Sequence, residues 1–125
     1  MVLARRIRVL LVDEHELVRS SLTLMIEVMK GVEVVGQATD GTIAVQMVDD
    51  LLPDVVLMDI NMPVMDGLTA TRLIHKRYPQ TRVIILTASI LEADTKTASE
   101  AGASAYLRKD SSIAEIEAAI RGAVA

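Results

Sequence analysis

The stretch that decides the fold is PDVVLMDINMPVMDG, residues 53–67. Pro53 ends a helical pattern, four apolar residues follow Asp54, and the acidic Asp59 stands where the apolar run stops. A short, continuous apolar run of this kind is typical of a strand that is buried on both faces, and such strands belong to parallel sheets. The stretch therefore predicts a buried strand over residues 54–58 and a polar group at its carboxyl end.

The same kind of run recurs along the chain, with helical patterns between the runs. Further strands are predicted at Ile7–Val12, at Val32–Ala38 and at residues 83–86 and 105–107. The first helix is predicted from the helical spacing of apolar residues from Leu17 to Met29 and ends at Gly31, and Asp40 can cap the second. The third opens at Asp66 and Gly67, and the fourth runs from Ile90 to Ala101 and stops at Gly102. A Ser111 or Ser112 cap precedes the last helix, with its stripe of Ile113, Ile116 and Ile120. Five strands alternating with five helices indicate an α/β fold, a doubly wound parallel sheet in the flavodoxin-like order 2-1-3-4-5.

The amino-acid composition excludes several classes of protein and of binding site. The chain has 125 residues, 51% of them hydrophobic, which fits a single domain over residues 1–125. The absence of Cys excludes a disulfide scaffold and a thiolate metal site, and the absence of Trp and Phe excludes an aromatic platform for bases. A net charge of −4 argues against binding of nucleic acid by this chain. No apolar run is long enough for a membrane span, so a cytoplasmic location without membrane contact is expected.

Polar residues stand where the predicted strands end. Asp13 and Glu14 follow the first strand, Asp59 the third, Thr87 the fourth and Lys109 the fifth. Ligands of open parallel sheets bind at the carboxyl ends of strands, near the point where the strand order reverses. Two carboxylates about 4 Å apart repel by roughly 4 kcal/mol in a partly shielded site, so three of them need more positive charge than Lys109 supplies. The pattern predicts a hard divalent cation, Mg²⁺, and phosphoryl chemistry.

Each of these side chains is of a type that suits one role in phosphoryl transfer. A carboxylate attacks phosphorus in line to give an acyl phosphate, and Asp59 is the central candidate. Asp13 and Glu14 hold the metal, the Lys109 ammonium neutralises charge on the phosphoryl oxygens, and the Thr87 hydroxyl reads the product state.

The residues that carry this site also carry a resemblance. The segments LVDEH (11–15), LMDINMPVMDG (57–67), LTA (86–88) and AYLRK (105–109) resemble a response-regulator receiver domain over nearly the whole chain. DEHELVR (13–19) and GASAYLRKD (102–110) are similar to the NarL/FixJ, or LuxR-type, subfamily of bacterial transcriptional regulators. The resemblance implies a CheY-like (βα)5 fold and a phosphorelay domain that controls a DNA-binding output.

The resemblance further implies a role for each matching residue. Asp59 would be the phosphoacceptor of a sensor histidine kinase. Glu14 would bind Mg²⁺ directly and Asp13 mainly through water, with the Asn61 carbonyl and Asp59 as further metal ligands. Thr87 would form a hydrogen bond with the phosphoryl group, and Lys109 would form an ion pair with it. Tyr106 would be an aromatic switch. Pro63 and Gly67 would shape the loop.

Three positions depart from the pattern or stand outside it. Glu14 is one methylene longer than the more usual Asp. Asp110 follows Lys109 where many receivers have Pro and a cis peptide, and a cis bond before a non-proline residue would cost about 3–4 kcal/mol. His15 follows the acid pair, and we interpret it as a first-turn residue of the next helix rather than as a catalytic group.

Four alternatives stay open at this point. A flavin-binding flavodoxin-type domain needs a hydroxyl- and Gly-rich phosphate loop, which the acidic residues 13–16 do not provide. The second is a metal-dependent phosphohydrolase or nuclease of the acidic-cluster kind; enzymes of the haloacid-dehalogenase type carry their nucleophilic Asp after the first strand, whereas Asp59 follows the third. A degenerate receiver that serves only for docking would not need all five core positions filled. A stand-alone receiver would act in phosphorelay or protein–protein signalling.

The partners follow from the receiver interpretation. We expect a phosphoacceptor domain rather than a turnover enzyme, with a sensor histidine kinase as partner and a homodimer formed on phosphorylation. The first and last helices, or the fourth helix with the fifth strand, are the two candidate dimer surfaces. Only residues 121–125 follow the last helical stripe, so DNA would be read by an effector domain that these 125 residues do not contain.

Overall fold

A computed structural model describes residues 5–88 and 92–125, with side chains from residue 95 onward in the second range. The described elements alternate along the chain: β1 Ile7–Val12, α1 Glu16–Glu27, β2 Val32–Ala38, α2 Gly41–Leu51, β3 Val55–Asp59, α3 Gly67–Arg77, β4 Arg82–Thr87, α4 Glu92–Glu100, β5 Ala105–Arg108 and α5 Ile113–Val124. All pairings are parallel, and the sheet order is β2-β1-β3-β4-β5. The predicted fold class and strand order are confirmed.

The strand register brings the carboxyl ends of the central strands level with one another. Val12 in β1 pairs with Met58 in β3, so the next residues, Asp13 and Asp59, stand side by side. Asp59 in turn lies opposite Leu86 of β4. The sheet therefore places the two acids at one edge, where the strand order reverses.

The core has one layer on each side of the sheet. Val9 and Leu11 face α1 and α5, whereas Leu10 and Val12 face the opposite side, where α2, α3 and α4 pack. All four of these β1 residues are buried, which explains the lack of apolar–polar alternation in the strand. Two covered faces make the sheet a rigid support for the residues at its edge.

Side-chain caps begin three of the helices. Asp40 accepts a hydrogen bond from the Ile43 N–H at 3.0 Å, as the sequence predicts. Asp66 accepts one from the Thr69 N–H at 2.8 Å, and this bond lowers the pKa of Asp66. Ser112 rather than Ser111 caps α5 in a reciprocal capping box with Glu115.

The structure differs from the sequence predictions mainly at element ends. β3 begins at Val55 instead of residue 54, where the Arg8 N–H donates to the Asp54 side-chain carboxylate rather than to a backbone carbonyl. β4 and β5 extend beyond the predicted residues, to Arg82–Thr87 and Ala105–Arg108. The predicted helix start at Ile90 lies outside the described residues.

The predicted apolar stripe of α5 is only partly buried. Ile116 and Ile120 are fully buried, but Ile113 is 42% exposed. Ile113 is the first residue of the helix, one turn before the buried part of the stripe. Among the described helices, none combines the length and the apolar character that crossing a membrane requires.

Candidate functional site

Two buried carboxylates form the centre of the site. Asp13 is held directly after β1 by its N–H, which donates to the Ala38 carbonyl at 3.1 Å, and by its carbonyl, which accepts from Arg19 Nη1 at 2.8 Å. Asp59 is the last residue of β3. Asp13 is 3% and Asp59 5% exposed, an unusual environment for acids. Asp13 and Asp59, two of the three predicted acids, thus meet at the sheet edge.

Lys109 joins the two carboxylates. Its backbone N–H donates to the Thr87 carbonyl at 2.7 Å, which carries the pairing of β4 and β5 one residue further. Its Nζ lies 2.6 Å from Asp13 Oδ2 and 3.3 Å from Asp59 Oδ1. The sequence-predicted acids and ammonium therefore form one cluster of ions.

The charges in this cluster are not balanced. Burial, followed by the nearby charge of Asp13, raises the pKa of Asp59 in spite of the opposing effect of Lys109. Burial alone would lower the pKa of Lys109, but the hydrogen bond and charge of Asp13 and the charge of Asp59 outweigh it, so this pKa is raised. Two carboxylates facing one ammonium leave an excess negative charge that a cation would neutralise.

The oxygen donors fit a hard divalent cation. One donor atom each from Asp13, His15 and Asp59 lies within 4.8 Å of the others, and both carboxylates are of the type that Mg²⁺ prefers. The structure does not bring Glu14 into this compact group: its exposed carboxylate lies 3.8 Å from His15 Nε2. Asn61 is also exposed, so metal binding by these two residues stays a prediction.

His15 is the residue whose place the sequence does not reveal. It is the N-cap residue of α1 and so precedes the first turn, in which we expected it. Its N–H donates to Asp13 Oδ1 at 2.9 Å, and its Nδ1 lies 3.1 Å from the same oxygen. The only signal in the sequence is its position beside the acid pair, which says nothing about the direction of the ring.

The predicted switch residues lie on adjacent strands. Thr87, at the end of β4, is buried. Tyr106 in β5 pairs with Ile85 of β4 and packs against the apolar cluster that α2, α3 and α4 cover. The tyrosine is partly buried, and its hydroxyl oxygen is shielded from solvent. Thr87 and Tyr106 therefore lie two positions apart on adjacent strands, and their coupling stays a prediction.

The loop after β3 passes very close to the site. The Gly67 N–H donates to the Ile60 carbonyl at 2.8 Å, and a Cβ at Gly67 would lie 1.9 Å from the Asp59 carbonyl oxygen. Val64 adopts a φ of 67°, a strained conformation for a β-branched residue. On the other side of the site, the Lys109–Asp110 peptide is trans.

Comparison with known proteins agrees with this geometry. The sequence profile of the response regulator receiver domain matches residues 9–121. The transcriptional regulatory protein LiaR of Bacillus subtilis is 44% identical over 117 residues, which are 94% of this chain and 56% of LiaR. The chain thus spans about half the length of the curated relatives it matches.

Two solved structures extend the comparison. The signal receiver domain of the response regulator NarL from Mycobacterium tuberculosis has a TM-score of 0.90 and 34% identity, covering 96% of this chain and 98% of that one. A CheX–CheY–BeF3–Mg²⁺ complex from Borrelia burgdorferi has a TM-score of 0.90 and 27% identity, covering 97% of this chain and 91% of that one. These matches favour the receiver interpretation over the flavin-binding and phosphohydrolase alternatives.

Proposed function

Because the chain belongs to the response regulator receiver domain family, and to its NarL/FixJ type, we propose that Asp59 accepts a phosphoryl group from a sensor histidine kinase. The observation that carries the proposal is the Lys109 ammonium, which lies between the buried Asp13 and Asp59 carboxylates. This arrangement supplies a nucleophilic oxygen and a fixed positive charge at one point, as phosphoryl transfer requires.

The chemistry follows from the environment of Asp59. Removal from water raises the pKa of this carboxyl, and a desolvated carboxylate oxygen is a better nucleophile than a solvated one. Asp59 attacks phosphorus, the new O–P bond forms as the N–P bond of the phosphohistidine breaks, and the electron pair stays on the departing imidazole. Lys109 stabilises the charge on the phosphoryl oxygens, and the buried Thr87 hydroxyl binds one of them.

A divalent cation completes this arrangement. Receiver domains bind Mg²⁺ at an acidic pocket, and a structurally similar receiver was solved with Mg²⁺. Asp13 and Asp59, with Glu14 and Asn61 as further ligands, would hold the ion here. When bound, Mg²⁺ supplies the positive charge that Lys109 alone does not provide.

Intact mass spectrometry after incubation with acetyl phosphate tests the proposal. We expect one phosphoryl group per chain with Mg²⁺ and essentially none with a chelator, and peptide mapping should place it on Asp59. Phosphate on another residue, or uptake that does not depend on Mg²⁺, would contradict the assignment. Uptake should stop at one phosphoryl group per chain rather than continue as catalytic turnover, since we propose that the domain promotes only its own phosphorylation and dephosphorylation.

Thr87→Ala should uncouple phosphorylation from the conformational response. The variant keeps Asp59 and Lys109, so phosphate uptake should stay within a few-fold of that of the wild type. Without the Thr87 hydroxyl, the phosphoryl group has no contact that shifts β4 against Tyr106. The phosphorylation-dependent NMR shifts around Tyr106, which is already partly buried, should shrink strongly.

Thr81→Ala is a matched control for this prediction. Thr81 lies just before the other end of β4, is buried, and donates its hydroxyl hydrogen bond to the Pro53 carbonyl at 2.9 Å. Its loss should lower stability without changing the response of Tyr106. Identical NMR responses in wild type and Thr87→Ala would rule out the coupling through Thr87.

We also propose that the output is transcriptional and that the domain acts in the cytoplasm. The curated relatives are about twice as long and include a transcriptional regulatory protein, so a DNA-reading domain is the expected effector, and a homodimer formed on phosphorylation is the expected active state. Residues 1–125 should not bind DNA themselves, because their net charge of −4 releases few counterions from a duplex. A mobility-shift assay at low salt should show no retardation, phosphorylated or not, and sequence-specific retardation would contradict this prediction.

A further inference from the structure

The ring of His15 faces the site rather than the helix that it begins. His15 is the N-cap residue of α1 but makes no side-chain cap hydrogen bond. The N-cap residues of α2, α3 and α5, which are Asp40, Asp66 and Ser112, all make one. An Asp or Ser at position 15 would stabilise the helix by roughly 1 kcal/mol more, so helix capping does not explain the histidine.

The position of the ring does match that of a metal ligand. Nδ1 lies 3.1 Å from Asp13 Oδ1, and a donor atom of His15 lies within 4.8 Å of donor atoms of both Asp13 and Asp59. Two adjacent ligands at about 2.1 Å from one octahedral metal are about 3.0 Å apart. The hydrogen-bond distance between the two atoms is thus also the spacing of neighbouring ligands, so a single ion could bind both with little movement of the ring.

The two carboxylate oxygens of Asp13 have different neighbours. Asp13 Oδ2 is occupied by Lys109 at 2.6 Å, so Oδ1, the oxygen beside His15, is the one that faces a metal. Without a metal, the 3.1 Å contact is a hydrogen bond that Nδ1–H donates to Asp13 Oδ1; a metal bound at Nδ1 would take the place of this proton, which moves to Nε2, 3.8 Å from the Glu14 carboxylate. The imidazole is 61% exposed and can turn without disturbing the core.

We propose that His15 is an additional metal ligand that increases the preference of this site for first-row transition ions of the Co²⁺ to Zn²⁺ type over Mg²⁺. Imidazole nitrogen is a good ligand for those ions, whereas Mg²⁺ takes oxygen ligands and leaves the ring unused. The inference rests on the proposed metal site at Asp13 and Asp59 and adds a ligand that selects among ions.

Calorimetric titration of the unphosphorylated protein at pH 7.5, with Co²⁺ and with Mg²⁺ separately, tests the inference. His15→Asn keeps a good N-cap residue and removes the imidazole. We expect it to weaken Co²⁺ binding about 10- to 100-fold and Mg²⁺ binding less than about 3-fold. His75→Gln, which changes the only other histidine in the chain, should leave both affinities unchanged.

Two further measurements separate the failure of this inference from that of the proposed function. With Zn²⁺ added, the ¹⁵N resonance of His15 Nδ1 should shift as a directly coordinated nitrogen does. Unchanged Co²⁺ affinity in His15→Asn, or an unshifted Nδ1 resonance, would overturn the role of His15 while leaving the phosphorylation site intact. Mg²⁺ binding that survives Asp59→Asn unchanged would instead contradict the metal site on which both proposals depend.

Discussion

Asp59→Asn is expected to abolish phosphate uptake while making the fold more stable. The amide keeps the shape of the side chain but has no nucleophilic carboxylate oxygen, so the acyl phosphate cannot form. It also removes one of two buried like charges, whose desolvation and mutual repulsion raise the pKa of Asp59. We expect a gain of about 1 kcal/mol, or roughly 4 °C in Tm, at neutral pH.

The pH dependence gives this prediction a second test. A carboxyl group whose pKa is raised by folding favours the folded state below its unfolded pKa, near 3.8, and loses that contribution as the pH rises through the folded pKa. The stability advantage of Asp59→Asn should therefore be larger near pH 7 than near pH 4. Urea unfolding at both pH values measures it.

Asp50→Asn is the matched control for the charge. Asp50 is an exposed acid in α2, far from the edge of the sheet that holds the site. Its substitution should leave phosphate uptake unchanged and alter stability by less than about 0.5 kcal/mol. Residual stoichiometric uptake in Asp59→Asn, or equal stability changes in both variants, would contradict the role given to the buried pair.

The fold is predictable from the sequence because its signals are local. Apolar runs such as Ile7–Val12 mark strands that are buried on both faces, and Asp40 and Asp66 mark helix starts by short-range hydrogen bonds. Strand ends are predicted less well, because pairing with a neighbour decides them. At the start of β3, for example, the Asp54 carboxylate accepts a hydrogen bond from Arg8, a residue 46 positions away.

The sequence predicts only those features of the site that follow from the parallel arrangement of the strands. The carboxyl ends of such strands meet at one edge, which is enough to bring Asp13, Asp59 and Lys109 together. The spacing of residues does not determine rotamers, so it could not show that His15 turns toward Asp13 while Glu14 lies outside the compact donor group. The directions of the His15 and Glu14 side chains depend on the conformation of the loop after β1, which is fixed by contacts with other parts of the chain.

Gly67→Ala is expected to destabilise the fold by at least about 3 kcal/mol. The added methyl group would lie 1.9 Å from the Asp59 carbonyl oxygen and 2.8 Å from its carbon, and neither backbone atom can move without shifting the end of β3. The Gly67 N–H, bonded to the Ile60 carbonyl at 2.8 Å, ties α3 to the same point, so α3 cannot move away either. Overpacking against rigid backbone is among the costlier core changes.

Gly122→Ala separates this steric effect from the general effect of replacing glycine. Gly122 lies in α5, and a Cβ there would meet nothing within 4 Å. The added methyl group should stabilise the helix by up to about 1 kcal/mol, because alanine has the higher helix propensity. The urea midpoints of the two variants should therefore move in opposite directions from that of the wild type. The fraction of Gly67→Ala protein that remains folded should take up phosphate more slowly than the wild type, because Asp59 is displaced. Similar midpoints for the two variants would show that β3 and α3 are not packed as closely as the structure indicates.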